Sequence, residues 1–293
     1  MTRINCSLCD TSDIEPLFKK DNIPFYRCLN CHFVFSKPDR DPNRESPLED
    51  YNPAYIDYLT KSVEDERNFV SFLKWMSKFC SFDGVRVLDV GTGSGKLVRF
   101  FRERGTDAYG IEPANSIYKK FLTEEPFFYC KTIEDFDETL TGGKLDIVLA
   151  CDVIEHVEQP GIFLEHIHRL LKPEGKLFLS TPDVGSLMAR MSGKWWHFYH
   201  KYHLSYFSRE TIEVAAKSCG FNMLGFARLP RLKSMGYILQ YMSDLVIRSG
   251  RLNLPKTIKD VVIPINLFDI MFVAFEKREK SHNEICCNGM STE

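Results

Sequence analysis

No apolar run in the sequence reaches the roughly 18–20 residues that a membrane span requires. The opening Met1-Thr2-Arg3-Ile4-Asn5-Cys6 has no apolar stretch of the secretory-signal type. Charge of one sign is missing too: 38 basic residues face 40 acidic ones, for a formal net charge of −2. That balance argues against an extended nucleic-acid surface, while leaving room for a local basic patch. No internal repeat is visible, so nothing suggests a repeat architecture. The expectation from these absences is a cytoplasmic protein without a membrane span. What remains is ordinary for a globular chain with a substantial core, at 44% hydrophobic and 27% charged residues over 293 positions.

Cysteine is the exception, with ten copies. Cys6 and Cys9 form one C-x2-C pair, and Cys28 and Cys31 form a second after a gap of eighteen residues. Two residues between thiolates make a tight knuckle, and two knuckles supply four soft ligands to one tetrahedral Zn²⁺. The spacing falls within the range for such sites, and a segment of about 38 residues has too little core to fold without a staple. Four thiolates leave no open coordination position, so the predicted role is structural. Residues 1–38 are therefore read as a zinc ribbon, with His32 outside the ligand set. The other six cysteines show no framework, and Cys130 and Cys151 read as buried small hydrophobes.

Residues 39–84 read as a polar, proline-bearing linker followed by a helical segment. Tyr51, Tyr55 and Tyr58 open it, and Phe69, Phe72, Leu73, Met76 and Phe79 recur at helical spacing. From 85 to 277 strands and helices alternate. Predicted strands are 85–90, 108–111, 127–130, 146–151, 176–180, 221–229 and 270–275. Between them, Leu97–Phe101, Ile117–Phe121, Phe163–Leu171 and a helix capped by Ser208 carry helical patterns. Strands spaced by helices predict an α/β fold with a mostly parallel sheet covered on both faces. The 232–262 stretch holds a hydrophobic helix (Ile238, Leu239, Met242, Leu245, Val246), read as a lid or dimer contact. Residues 278–293 read as a frayed polar tail. The oligomeric state stays open.

The most informative segment is Asp89-Val90-Gly91-Thr92-Gly93-Ser94-Gly95, a strand running into a glycine turn and a helix. In a doubly wound sheet such a turn opens at the carboxyl edge, where cofactors bind. A dinucleotide fingerprint needs its third glycine one residue later, where Lys96 stands. A phosphate loop needs a glycine at Val90 and a Ser or Thr at Leu97, and has neither. The G-x-G-x-G form, preceded by an acidic residue, resembles the first motif of class I S-adenosylmethionine (SAM)-dependent methyltransferases. Glu112, at the end of the second strand, suits both ribose hydroxyls of that cofactor. Asp152-Val153-Ile154-Glu155-His156-Val157 resembles the D-x-x-E-H segment of ubiquinone-biosynthesis-type O-methyltransferases. Leu170-Leu171-Lys172-Pro173-Glu174-Gly175-Lys176-Leu177 resembles a helix-to-strand turn of the same superfamily. The resemblance implies a seven-stranded Rossmann-like sheet with a reversed final strand. It also implies cofactor contacts from Asp89, Gly91, Gly93, Gly95, Glu112 and Asp152, with Ile133 where the family touches adenine.

A zinc ribbon ahead of this core is similar to two groups: deoxysugar C-methyltransferases and zinc-ribbon ribosomal RNA guanine methyltransferases. Tyr51 and Tyr55 match a tyrosine-bearing stretch of the first group. His203-Leu204-Ser205-Tyr206-Phe207-Ser208 looks like its histidine-bearing segment. That group carries a glutamate directly before the histidine. Here Tyr202 stands in its place, which favours methylation of oxygen. Removing an alcohol proton needs a base, and histidine works near neutral pH. His203 and His156 are the candidates, since both follow strands whose carboxyl ends face the cofactor. His197, His200 and His203 also suggest a metal site, although no neighbouring carboxylate in the sequence joins them. Lys194-Trp195-Trp196-His197-Phe198-Tyr199-His200-Lys201-Tyr202 mixes flat rings with positive charge, so Trp196, Tyr199 and Tyr202 are predicted acceptor contacts. The expectation is transfer of methyl from SAM to a small hydroxylated acceptor, a sugar nucleotide or glycan favoured. RNA methylation and a non-catalytic SAM-binding partner protein are the alternatives.

Overall fold

A computed structural model describes residues 4–38, 59–60, 65–236, 238–239 and 261–278. Tyr51 and Tyr55, the 39–50 linker, most of the hydrophobic helix expected near 238–246 and the tail from 279 onward lie outside the described residues.

The N-terminal module is a small antiparallel sheet. Strands β1 (Ile14–Lys20) and β2 (Ile23–Cys28) form a hairpin. Its two turn residues, Asp21 and Asn22, have φ of 50° and 64°. Two positive φ angles suit the twist of a two-residue hairpin, and Asp and Asn tolerate them best after glycine. Strand β3 (Val34–Ser36) pairs with β2, placing the two cysteine pairs at one end of the sheet.

Seven strands form the main sheet: β4 (Arg86–Val90), β5 (Asp107–Ile111), β6 (Phe128–Tyr129), β7 (Leu145–Cys151), β8 (Leu171–Pro182), β10 (Phe221–Ala227) and β13 (Ile270–Lys277). Their order is β10-β13-β8-β7-β4-β5-β6, with β13 antiparallel to both neighbours and the other pairs parallel. This is the predicted seven-stranded, mostly parallel sheet with one reversed strand. The central strand β7 reads as a nearly unbroken apolar run, Ile147–Cys151, because both faces are covered. Along β7, Val148 and Ala150 join a core under α4 (Pro160–Leu170) and α6 (Arg209–Ser218). Ile147 and Leu149 join the opposite core, under α1 (Asp65–Met76) and α2 (Lys96–Arg102). Helix α3 (Asn115–Phe121) follows β5. Ser208 caps α6 as expected, in a reciprocal box with Thr211.

Three features depart from the pattern read in the sequence. The fifth strand starts at Leu171, so Pro173 and Gly175 fall inside it. Its register on β7 jumps from Leu145↔Leu171 to Ile147↔Lys176, and an irregularity of that kind accommodates a proline. The 183–207 segment contains a short helix α5 (Leu187–Ser192) and a two-residue strand β9 (Ser205–Tyr206). Beyond β10, β11 (Arg231–Ser234) pairs with β12 (Val262–Ile265). Strand β9 pairs with β3, so the N-terminal sheet has four strands in the order β1-β2-β3-β9.

Candidate functional site

Strand β4 delivers Asp89, which is 5% exposed, to the start of the glycine turn. A side chain on Gly91 would meet Val153 at 2.7 Å, and one on Gly95 would meet Phe128 at 2.5 Å. Both glycines have positive φ as well, 68° and 76°. Backbone therefore passes where no other residue fits. Gly93 shares the positive φ, at 56°, but its nearest neighbour across that space is Leu59 at 3.6 Å, so its face is less crowded. The Gly93 N–H donates to Oε2 of Glu112 at 2.9 Å, and the Ala114 N–H donates to Oε1 at 2.9 Å. Burial raises the Glu112 carboxyl to about 7, against the pull of those two donors. Burial likewise raises Asp89 to about 7, with the Glu112 charge adding to it. Ile133 lies buried in the core beside the turn that follows β6.

At the end of β7, Asp152 adopts φ 56° and Ile154–His156 form a single 3-10 turn. Ser180 Oγ donates to Asp152 Oδ1 at 2.7 Å. Arg231, from β11, grips both carboxylate oxygens at 2.8 and 3.0 Å, and its guanidinium lies 5.4 Å from the Phe272 ring centre. Loss of solvent around the carboxylate pushes the Asp152 pKa up, but the Arg231 charge and the hydrogen bonds from Arg231 and Ser180 outweigh it and hold Asp152 below its ordinary value. Sequence reasoning missed Arg231, since nothing local links residues 79 positions apart.

Glu155 is 1% exposed and accepts from Thr181 Oγ1 at 3.0 Å. Burial, then the Asp152 charge, raises it to about 8. His156 donates from Nδ1 to the Tyr202 carbonyl at 2.9 Å, which leaves Nε2 as the lone-pair nitrogen. His203 is 6% exposed, and its Nδ1 is buried with no hydrogen-bond partner. Its ring centre is 4.7 Å from that of His156 and 3.9 Å from that of His200. Burial, followed by the neighbouring His200 and His156, drives its pKa well below the ordinary histidine value. One donor atom each from Glu155, His156 and His203 lies within 4.8 Å of the others. The carboxylate absent from the histidine run is thus supplied by Glu155, with His156 standing where the sequence suggested His197 and His200.

Trp196 and Tyr199, expected at the acceptor surface, are interior. Trp196 is fully buried with its indole N–H 3.2 Å from Asp269, and Tyr199 packs edge-on against Phe18 and Phe25. Apolar ring area is withdrawn between the N-terminal sheet and the 184–199 segment. Tyr202 is exposed, and so is Cys130, which had read as buried.

The four cysteines of the N-terminal module converge. Cys6 and Cys31 sulfurs are 3.7 Å apart, Cys9 and Cys28 sulfurs 3.5 Å, and all four lie within 4.8 Å. A tetrahedron with Zn–S bonds of about 2.3 Å has S···S edges of about 3.8 Å. Backbone N–H groups of Leu8 and Cys31 point at Cys6 and Cys28 sulfurs at 3.4 Å each. No disulfide joins the described cysteines.

The main sheet thus has one reversed strand, and the glycine turn and Glu112 are bonded together at the ends of β4 and β5. A family model described as a methyltransferase domain matches residues 32–225. The chain belongs to this methyltransferase family. It is 36% identical over 150 residues to the ubiquinone biosynthesis O-methyltransferase of Nitrobacter winogradskyi, a match covering 48% of this chain and 54% of the relative. It is 32% identical over 140 residues to the enzyme of that name from Cereibacter sphaeroides, covering 46% and 54%. The chain thus spans about half the length of the curated relatives it matches. Among solved structures, it is similar to magnesium protoporphyrin IX methyltransferase from Synechocystis PCC 6803 with bound SAH, at TM-score 0.53 and 16% identity over 78% of this chain and 98% of that one. A SAM-dependent methyltransferase from Archaeoglobus fulgidus gives TM-score 0.53 and 16% identity over 77% and 100%. At that identity the shared property is the fold.

Proposed function

We propose that the protein transfers the methyl group of SAM to a hydroxyl oxygen of a small acceptor, with His203 as base. The buried, unpartnered Nδ1 of His203, held beside His156 and Glu155, carries this reading. Glu112 fits the cofactor because each carboxylate oxygen keeps a lone pair for a ribose hydroxyl after its backbone bond. The open face of Gly93 admits the cofactor chain. Bound SAM supplies an electrophilic methyl carbon on a sulfonium, set for in-line displacement.

The chain's own task is to align the acceptor and take one proton. A low pKa keeps His203 neutral, so Nδ1 is free to accept the hydroxyl proton as the oxygen attacks. His156, fixed through Tyr202, keeps Nε2 as its lone-pair nitrogen. Glu155, raised to about 8, holds its proton near neutral pH and adds no charge to the ground state. Of the three aromatic residues expected at the acceptor in the 194–202 run, Tyr202 is the exposed one and is the candidate contact. The name of the relatives supports oxygen as the methylated atom, as does Tyr202 in place of a glutamate. The near-zero net charge supports a sugar-like or glycan acceptor over RNA. In the N-terminal module, the sulfur spacing supports one structural Zn²⁺ on Cys6, Cys9, Cys28 and Cys31.

The Glu155–His156–His203 grouping favours one second reading, in which a divalent cation rather than a free base orients the acceptor oxygen. A labelled-SAM assay on fractionated cell extract separates the readings. Transfer to a nuclease-resistant small-molecule or glycan fraction that survives chelation fits the free base. Loss on chelation with recovery on adding Mg²⁺ or Mn²⁺ fits the cation. Label that vanishes with nuclease overturns the small acceptor. SAM binding without turnover on any fraction overturns catalysis.

A further inference from the structure

The N-terminal module does more than sit beside the histidine site. Strand β3 runs along β9 with Val34↔Tyr206 and Phe35↔Ser205 in register, so the module's sheet continues into the His203 segment. Ser36, 6% exposed, donates from its hydroxyl to the His203 carbonyl at 2.8 Å. Its N–H donates to the Leu204 carbonyl at 2.9 Å. The Tyr206 hydroxyl donates to the same His203 carbonyl at 2.9 Å, which fills both lone pairs of that oxygen. From there the Leu204 N–H donates to the Glu155 carbonyl at 2.7 Å. A continuous line of bonds thus links the cysteine module to the backbone of two of the three residues whose side chains converge at the site. The stretch matching the methyltransferase family starts at residue 32 and so takes in β3.

We propose that Ser36 is a positioning residue for His203, and that the cysteine module is thereby a working part of the methyl-transfer site. The proposal rests on the reading of His203 as base. Ser36 touches no reacting atom. It fixes the backbone from which the imidazole projects, and a shift of about 1 Å in a reacting group costs rate up to about 100-fold. A serine that merely completes a strand would change stability and leave the ring where it is.

The test uses the full chain, SAM, and the nuclease-treated small-molecule extract fraction as acceptor pool. Ser36→Ala should lower turnover by about 10- to 100-fold, with KM for SAM and metal content unchanged. Ser36→Thr, which keeps the hydroxyl, should recover most of the rate. In a His203→Gln background, Ser36→Ala should cost nothing more, because the two act through one ring. With histidine-labelled protein, the His203 ring signals should move in Ser36→Ala while those of His168 stay. Equal losses in wild-type and His203→Gln backgrounds, or unmoved ring signals, would overturn the proposal. Should Ser36→Ala fail to fold, Tyr206→Phe removes the other donor to the same carbonyl and carries the same expectations. If His203→Gln keeps the wild-type rate, the base assignment fails by itself, and the ring signals still decide whether Ser36 positions His203.

Discussion

Glu112 is 3% exposed and accepts two backbone N–H groups, and burial still holds it near pH 7. Two consequences follow at the level of this one carboxylate. Its ionised form accepts the ribose hydroxyls, so bound cofactor favours loss of the proton. SAM affinity should rise as pH climbs through about 7 and level off above, with proton release seen by calorimetry in two buffers. The effect on folding has the opposite sign. A carboxyl raised above its unfolded value stabilises the native state at acid pH, and that contribution is lost as pH rises through about 7. Asp89, also at about 7, and Glu155, at about 8, act in the same direction. The melting temperature of SAM-free protein should therefore drop between pH 5.5 and 8, and saturating SAM should flatten the drop. Glu112→Ala should weaken SAM binding by roughly 1.5–3 kcal/mol, the scale of hydrogen bonds to charged groups. Unchanged affinity would place the cofactor elsewhere. His203→Gln should cut turnover by about 10²–10⁴ with SAM affinity intact, the range for a general base. Among residues, the candidates for the site were legible where they lie in or beside motifs, as Glu112, Glu155, His156 and His203 do. Arg231 was not, because its pairing with Asp152 is made by the fold. Trp196 and Tyr199 were misplaced, since a ring-rich segment has the same composition whether it plugs a core or lines a binding surface.

At the scale of elements, the glycine turn makes the sharpest expectation. Gly93→Leu should abolish SAM binding and lower the melt, since Gly93 holds φ 56°, while Gly91→Leu and Gly95→Leu should lower the melt further because both glycines also press on neighbouring side chains. Calorimetry on the three variants checks both halves of that statement. The cysteine knuckles make another. Metal analysis of protein purified without added metal should find one zinc per chain, and Cys6→Ser or Cys28→Ser should lose it and unfold the module. Elements were readable where they are long and apolar, as in β4, β7 and β8, or bear a cap, as in α6. β3 and β9 are three and two residues long, and each is specified by a partner distant in sequence. No periodicity develops over so few positions, so the seam between module and sheet stayed hidden. The 170–177 stretch misled for a related reason: it resembled a helix-to-strand turn, but Pro173 and Gly175 are absorbed by a register jump within β8.

For the molecule as a whole, the acceptor screen is the deciding measurement. Label in a nuclease-resistant sugar or glycan fraction is the expected result, since neither the chain nor its N-terminal module carries the cationic surplus that an RNA strand draws on. The sheet order has a further consequence, this one in time. β13 sits between β8 and β10, although both of those strands precede it in the chain, and β3 waits for β9 across most of the sequence. Neither closure is local, and non-local pairings are slow because a long loop must be ordered before the contact rewards it. The early strands and helices from β4 to β8 can condense as neighbours. The wall holding His203 and the strand that locks β10 arrive afterwards. A refolding chain should regain its helical signal well before it regains turnover, and the interval between them is when β10 and β3 stand as unpaired edges open to aggregation.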